Sequence, residues 1–241
     1  MKNSIFNWSG GKDSAFCLYH CLKDNSINIK YLLTTLNKDN DRISMHGVRR
    51  ELLLAQAERI GIPLKEVFLP EAASLSVYNK LMKQALTKLK SEAINYSIFG
   101  DIFLEDLKNY REEKLSEVNM KGLFPIWKRS SKELLNEFLD LGFKTIIICV
   151  NEKHLDKSYA GRIIDKDFIT DLPGNVDPCG ENGEFHSFVF DGPIFDRPIK
   201  FDKGEIVYKQ YKALEDDDCF KDNASQNYDT GFWYIDLVLK D

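Results

Sequence analysis

A chain of 241 residues with 43% hydrophobic and 29% charged side chains is long enough to bury a sizeable core and reads as globular; no apolar run reaches bilayer length and the first residues already read as a core strand, so a cytoplasmic protein without signal peptide or membrane span is expected. The formal net charge of −5 excludes a general attraction to nucleic acid, leaving only a local basic patch, which is not visible as a run. The five cysteines (Cys17, Cys21, Cys149, Cys179, Cys219) are odd in number and never spaced as CxxC, which excludes a disulfide framework and a zinc knuckle.

Residues 4–8 (Ser-Ile-Phe-Asn-Trp) read as a short strand; beyond residues 9–14, Ala15, Phe16, Leu18, Tyr19 and Leu22 recur at helical spacing. Cys17 and Cys21, one turn apart, read as small apolar residues on that helix. INIKYLLTTL (27–36) gives a second strand, and residues 48–63 a helix stopped by Gly61 and Pro63. LKEVFL (64–69) is a third strand. In residues 76–90, Tyr78, Leu81, Met82, Ala85 and Leu89 mark one helical face. YSIFGDI (96–102) is a fourth strand, followed by a charged helix to about Val118. Ser130 with Glu133 has capping-box spacing and opens a helix that Gly142 closes before the strand KTIIICV (144–150).

Such alternation implies parallel strands joined by right-handed crossovers, hence an α/β fold: an open, mostly parallel sheet with helices on both faces. Ligands of such sheets bind beyond the carboxyl ends of the strands. After about residue 150 the pattern breaks into turn-rich stretches (DLPGNVDPCGENGE) and short β-like runs (FHSFVFDGPIF, GEIVYKQY, GFWYIDLVL). The expected division is therefore residues 1–150 and a smaller mixed α+β domain, residues 151–241.

The hexapeptide SGGKDS, residues 9–14, lies directly between the first strand and the first helix. Glycines let backbone amides approach oxygens, the helix N-terminus adds partial positive charge, and Ser9 and Ser14 add hydroxyls, so the segment suits phosphate. Lys12 supplies a cation, and Asp13 suits a divalent ion or a helix cap. A Walker A loop is excluded, because Phe6 stands where its first glycine is needed and Asp13 where its Ser or Thr is needed. A G-x-G-x-x-G fingerprint cannot be written over Gly10 and Gly11. The bland alternative is an ordinary glycine turn capped by Asp13.

SGGKDS after an N-terminal strand resembles the pyrophosphate loop of the PP-loop ATP pyrophosphatase superfamily. With SMHGVRRELLLAQAERIGIP, FGDIFLEDLKNYREEKL, LFPIW and GENGEFHSFVFDGPIF, the chain resembles the diphthine-ammonia ligase family over most of its length. The resemblance implies an N-terminal nucleotide domain and a C-terminal domain that closes over the substrate. It implies ATP and Mg2+ as cofactors, ammonia as nitrogen donor and a carboxylate acceptor, diphthine on an elongation factor or a small metabolite acid. The carboxylate is adenylated with release of pyrophosphate, and ammonia then displaces AMP.

By that match Ser9, Gly10, Gly11, Lys12, Asp13 and Ser14 hold the phosphates, and Thr34 and Thr35 end the second strand where adenine rests. His46 enters the second helix near the nucleotide, or is a solvent-facing loop histidine. Gly100 and Asp101 stand at the same sheet edge, near ribose or magnesium, the alternative being a strand-end turn. Asp13 and Asp101 are the candidate magnesium ligands. Arg111 matches a family arginine that balances charge on a reacting acyl phosphate; without the match it reads as a solvated helix charge. Glu181, Glu184 and His186 gather around a turn permitted by Gly180 and Gly183, with acceptors and a base suited to ammonium, ammonia or magnesium. Lys12, Asp13, Arg111, Glu184 and His186 form the expected catalytic set, and Glu181, Asn182 and Glu184 the substrate contacts. Asn182 replaces a family glycine and His186 a common family glutamate, which changes the charge of the turn and leaves the acceptor open.

Two other readings compete with the amidoligase. Sulfur transfer of the tRNA-thiolation type needs a reactive cysteine, for which Cys179 is the candidate in a loop. A nucleotide-binding module without turnover would sense ATP or AMP by closing its domains.

Overall fold

The computed structural model describes residues 1–43, 47–70, 73–211 and 230–240, so the candidate His46 lies outside the described residues. In chain order the first half contains β1 (Lys2–Asn7), α1 (Lys12–Lys23), β2 (Ile27–Asn37), β3 (Arg42–Ile43), α2 (Arg50–Ile60), β4 (Leu64–Leu69), α3 (Leu75–Ser91), β5 (Tyr96–Ile98), α4 (Glu105–Ser116) and β6 (Lys121–Leu123). The second half contains α5 (Ser131–Asp140), β7 (Lys144–Asn151), a 3-10 turn (Lys157–Tyr159), α6 (Lys166–Asp171), β8 (Phe185–Asp191), β9 (Phe201–Tyr211) and β10 (Thr230–Leu239).

The first sheet is parallel in the order β4–β2–β1–β5–β6, with β3 adding two antiparallel residues at the end of β2. Strand alternation sorts its side chains to two faces. Phe6, Leu32 and Leu36 pack with Phe16 of α1 and Leu52 of α2, while Ile5 and Leu33 pack with Leu86 and Leu89 of α3 and Leu115 of α4. Helices thus cover both faces, as the alternating sequence requires. From β1 the chain moves out to β2 and β4, then returns to the other side of β1 for β5 and β6, so the topological switch point lies between β1 and β5.

The second sheet is antiparallel, in the order β8–β7–β10–β9. This corrects the expectation for KTIIICV. β7 does not extend the parallel sheet; it pairs antiparallel with β8 and β10. Its residues from Thr145 to Val150 are all buried, and a strand covered on both faces shows the same apolar run in either kind of sheet. The change of sheet therefore falls between Leu123 and Lys144, ahead of the division expected at residue 150. β6 was not expected from the sequence, because three residues are too few to show a period. The Ser130 cap is as the spacing requires, its hydroxyl accepting from the Glu133 amide at 3.5 Å.

The two sheets share one core. Phe6, Phe16 and Leu32 from the first half and Ile146, Ile147 and Phe188 from the second belong to the same buried cluster, with α1 against β8 and α2 against β10. Arg42 and Arg49 both reach Asp236 of β10, at 2.8 and 2.6 Å. Among the described residues no helix is long and apolar enough to cross a membrane.

Candidate functional site

β1 ends at Asn7, whose Nδ2 donates at 2.8 Å to Ser97 Oγ and to Ile98 O, tying the strand end to β5 across the switch point. The chain then turns through Trp8, Ser9 and Gly10 to Gly11, the N-cap of α1. Gly10 takes a left-handed conformation at φ +77°, and a Cβ on it would lie 2.8 Å from Gln56 Oε1, so only glycine fits there. The Gly11 amide donates to Ser9 Oγ at 3.3 Å, and the Lys12 amide to Ser187 Oγ on β8 at 3.2 Å. Ser14 Oγ donates to Gly11 O at 3.0 Å and lies 3.0 Å from Ser9 Oγ. First-turn amides have no intrahelical acceptor, so those of Asp13 and Ser14, with the helix dipole, make this end of α1 suited to an anion.

Lys12 is only 2% exposed. Its Nζ reaches both Asp13 oxygens, at 2.9 and 2.7 Å, donates to the Cys179 carbonyl, and lies 5.5 Å from the centre of the Phe185 ring. Burial is the largest single influence and pulls its pKa down, but the Asp13 charge and hydrogen bond, joined by Cys179 and Glu181, together outweigh it and push the pKa up to about 12. The ammonium is therefore a permanent charge at the loop.

Gly100 and Asp101 follow β5 on the other side of the switch point. A Cβ on Gly100 would stand 3.0 Å from Asp13 O and 3.2 Å from Ser14 Cα, so this glycine admits the first turn of α1 itself. Asp101 pairs with Arg111 of α4 at 2.8 Å, and the guanidinium lies 4.4 Å from the Phe99 ring centre. Burial raises the Asp101 pKa, Arg111 opposes it, and the nearby Asp13 charge adds to the rise. Arg111 is thus neither a solvated helix charge nor a free cation; it balances Asp101.

The 177–187 segment lies over the loop. Glu181 Oε1 accepts from the Ile102 amide at 2.9 Å, and burial, with the charge of Asp13, pushes this carboxyl up to about 7 against the Ile102 hydrogen bond and Lys12. Glu184 is buried and accepts from the Asp177 amide at 2.9 Å, the Asn182 amide at 3.0 Å and Asn182 Nδ2 at 3.1 Å. Its carboxylate holds the turn together, and Asn182, exposed, is its partner. His186 is not brought to the cluster: Phe185 and Ser187 take the loop-facing side of β8, and strand alternation puts His186 on the opposite face, beside Cys149. Thr34 is buried and Thr35 half-buried, in the stretch of β2 that pairs with Glu66 and Val67 of β4.

Cys179 is buried, its Sγ donating to Ser131 O at 3.4 Å, and burial pushes its thiol far above the ordinary range although Lys12 opposes the shift. A protonated, covered thiol is a poor nucleophile.

Four contributors were not singled out from the sequence: Gln56, Phe185, Ser187 and the Cys179 carbonyl. Gln56 did carry a signal, being the one polar side chain among the buried Leu52, Leu53, Ala55 and Ala57 of α2. The others act through a backbone atom or a strand from the far half of the chain.

Among the described residues no group of three or more His, Cys, Asp or Glu is placed to hold a metal ion. Asp13 and Asp101, close enough to feel each other's charge, still fit magnesium, which commonly takes one or two carboxylates and completes its shell with substrate phosphates and water.

A model of the diphthamide synthase N-terminal domain matches residues 1–122, and one of the diphthamide synthase C-terminal domain matches residues 130–217. The chain is 26% identical to the diphthine–ammonia ligase of Danio rerio, over 88% of this chain and 89% of that protein. It is 26% identical to that of Homo sapiens, over 86% of this chain and 85% of that protein. Against the diphthine–ammonia ligase of Schizosaccharomyces pombe it is 26% identical over 89% of its own length but spans only 39% of that longer protein.

Proposed function

The chain belongs to the diphthamide synthase family, and from that premise we propose that it is an AMP-forming amidoligase that adenylates a carboxylate and transfers ammonia to it. The observation that carries the reading is the SGGKDS loop at the switch point between β1 and β5, roofed by the 177–187 segment of the second sheet. ATP is a substrate here. One acceptor oxygen attacks the α-phosphorus and pyrophosphate leaves; ammonia then attacks the acyl carbon, and that same oxygen leaves with AMP.

The chain's own part is placement and charge. The glycine loop, the α1 N-terminus and Lys12 bind the two outer phosphates, which become the leaving pyrophosphate. Magnesium, when bound, neutralises phosphate charge, and Asp13 and Asp101 are the side chains that would hold it. Arg111 keeps Asp101 charged in its buried setting. Glu181, with a carboxyl near neutrality, is suited to take a proton from ammonium or from the attacking amine. Glu184 and Asn182 act by fixing the turn that carries Glu181. Thr34 and Thr35 are assigned to the adenine side.

The names of the relatives favour diphthine as acceptor. The test is incubation with ATP, magnesium, ammonium and a panel of carboxylates that includes the diphthine-bearing protein. AMP and pyrophosphate are expected only when an acceptor is present; ADP as the sole nucleotide product overturns the reading. Tight ATP binding with no pyrophosphate release under any condition would favour the non-catalytic module. Sulfur transfer is disfavoured by the buried Cys179, and a fully active Cys179→Ser variant removes it.

A further inference from the structure

The carbonyl of Gly10 is held from outside the loop. Gln56, fully buried on α2, donates from Nε2 to Gly10 O at 3.0 Å and to Val189 O of β8 at 2.7 Å, and its Oε1 accepts from the Trp8 indole N–H at 2.9 Å. Chemistry alone sets the orientation of this amide, because an indole nitrogen can only donate and the two carbonyls can only accept. The Val189 amide gives Gly10 O a second hydrogen bond, at 2.9 Å.

A peptide unit is planar and trans, so its C=O and N–H point in opposite directions. Two bonds on Gly10 O therefore set the plane of the Gly10–Gly11 unit and turn the Gly11 N–H to the other side, toward Ser9 Oγ. Without side chains, two successive glycines have little to prevent that plane from rotating. We propose that Gln56 is a positioning residue for the phosphate loop: it clamps the Gly10 peptide against β8 so that the Gly11 amide faces the phosphate, where a phosphate oxygen can take over the place of Ser9 Oγ. The inference rests on the loop being the triphosphate site.

Calorimetric titration of the full chain with magnesium ATP, and separately with inorganic pyrophosphate, tests it, together with steady-state kinetics and thermal melting of Gln56→Met and Gln56→Glu. Gln56→Met keeps the volume and removes the donors; it should raise Kd and KM for ATP about tenfold while kcat at saturating ATP and the KM for the acceptor stay near wild type. Gln56→Glu faces two carbonyls with an acceptor and should lose more. A purely structural role would lower the melting temperature and the active fraction but leave KM for ATP unchanged, and that outcome overturns the proposal. Wild-type protein that binds neither ligand instead overturns the phosphate reading of the loop, and this inference with it. Should Gln56→Met not fold, Trp8→Phe removes only the anchor at Oε1; a several-fold rise in KM for ATP is then expected, and an unchanged KM overturns the role.

Discussion

Glu181 holds a proton at a pH where an exposed glutamate has lost it. Burial and the Asp13 charge raise its carboxyl to about 7, so the folded state binds this proton more tightly than the unfolded chain does. Its stabilising contribution is present below the unfolded value and is lost as pH rises through about 7. Glu181→Gln should therefore melt close to wild type at pH 5 and be about 1–3 kcal/mol more stable at pH 8, while losing activity. Melting curves at the two pH values check this, and a stability gap independent of pH would contradict it. Arg111→Met strands Asp101 in a mostly buried position and should cost about 1–3 kcal/mol in urea unfolding. The cost should shrink in the Asp101→Asn/Arg111→Met double variant, since the side chain left behind at position 101 is then no longer a charge. At this scale the loop residues were legible, because Gly10, Gly11, Lys12 and Asp13 are consecutive in the chain. Gln56, Ser187 and Phe185 were not, because they reach the loop from α2 and β8.

The first turn of α1 depends on a neighbouring strand end that leaves room for it. Gly100 provides that room, and Gly100→Ala would force a Cβ to within 3.0 Å of Asp13 O, backbone that cannot swing aside as a flexible side chain would. The variant should lose about 1–3 kcal/mol and bind pyrophosphate more weakly, because moving the turn moves the anion site with it. Calorimetry and thermal melting together test this; unchanged pyrophosphate affinity in a folded Gly100→Ala protein would separate the strand end from the loop. The helices and the longer strands of the first half followed from periodicity, whereas β3, two residues long, did not. β6, three residues long, and the sheet membership of β7, apolar on both faces, did not, because neither leaves a distinctive period.

Both halves of the molecule build the loop. Ser187 Oγ caps the Lys12 amide, the Val189 amide holds Gly10 O, and the Cys179 carbonyl accepts from Lys12, all from beyond the change of sheet. Asp236 adds a clamp from β10: burial alone would raise its pKa, but Arg49 and Arg42 hold the carboxyl well below the ordinary range. A fragment of residues 1–128 would lose the half of the shared core that holds Ile146, Ile147 and Phe188 and leave the loop without its roof. It should show no cooperative melting transition and no pyrophosphate binding, whereas a fragment that binds as the whole chain does would make the second sheet dispensable to the loop.

The sequence by itself determined the local chemistry: a glycine-rich, lysine-bearing turn between a strand and a helix, inside an alternating α/β pattern, because these properties depend on neighbours in the chain. The tertiary structure alone decided which candidates meet. It paired Arg111 with Asp101, spent Glu184 on its own turn, turned His186 away and recruited Gln56. The place of His186 depends on which face of β8 meets α1, set by packing between segments more than a hundred residues apart, whereas the Arg111–Asp101 and Glu184 contacts are close in the chain and depend on how a strand end and a turn are folded.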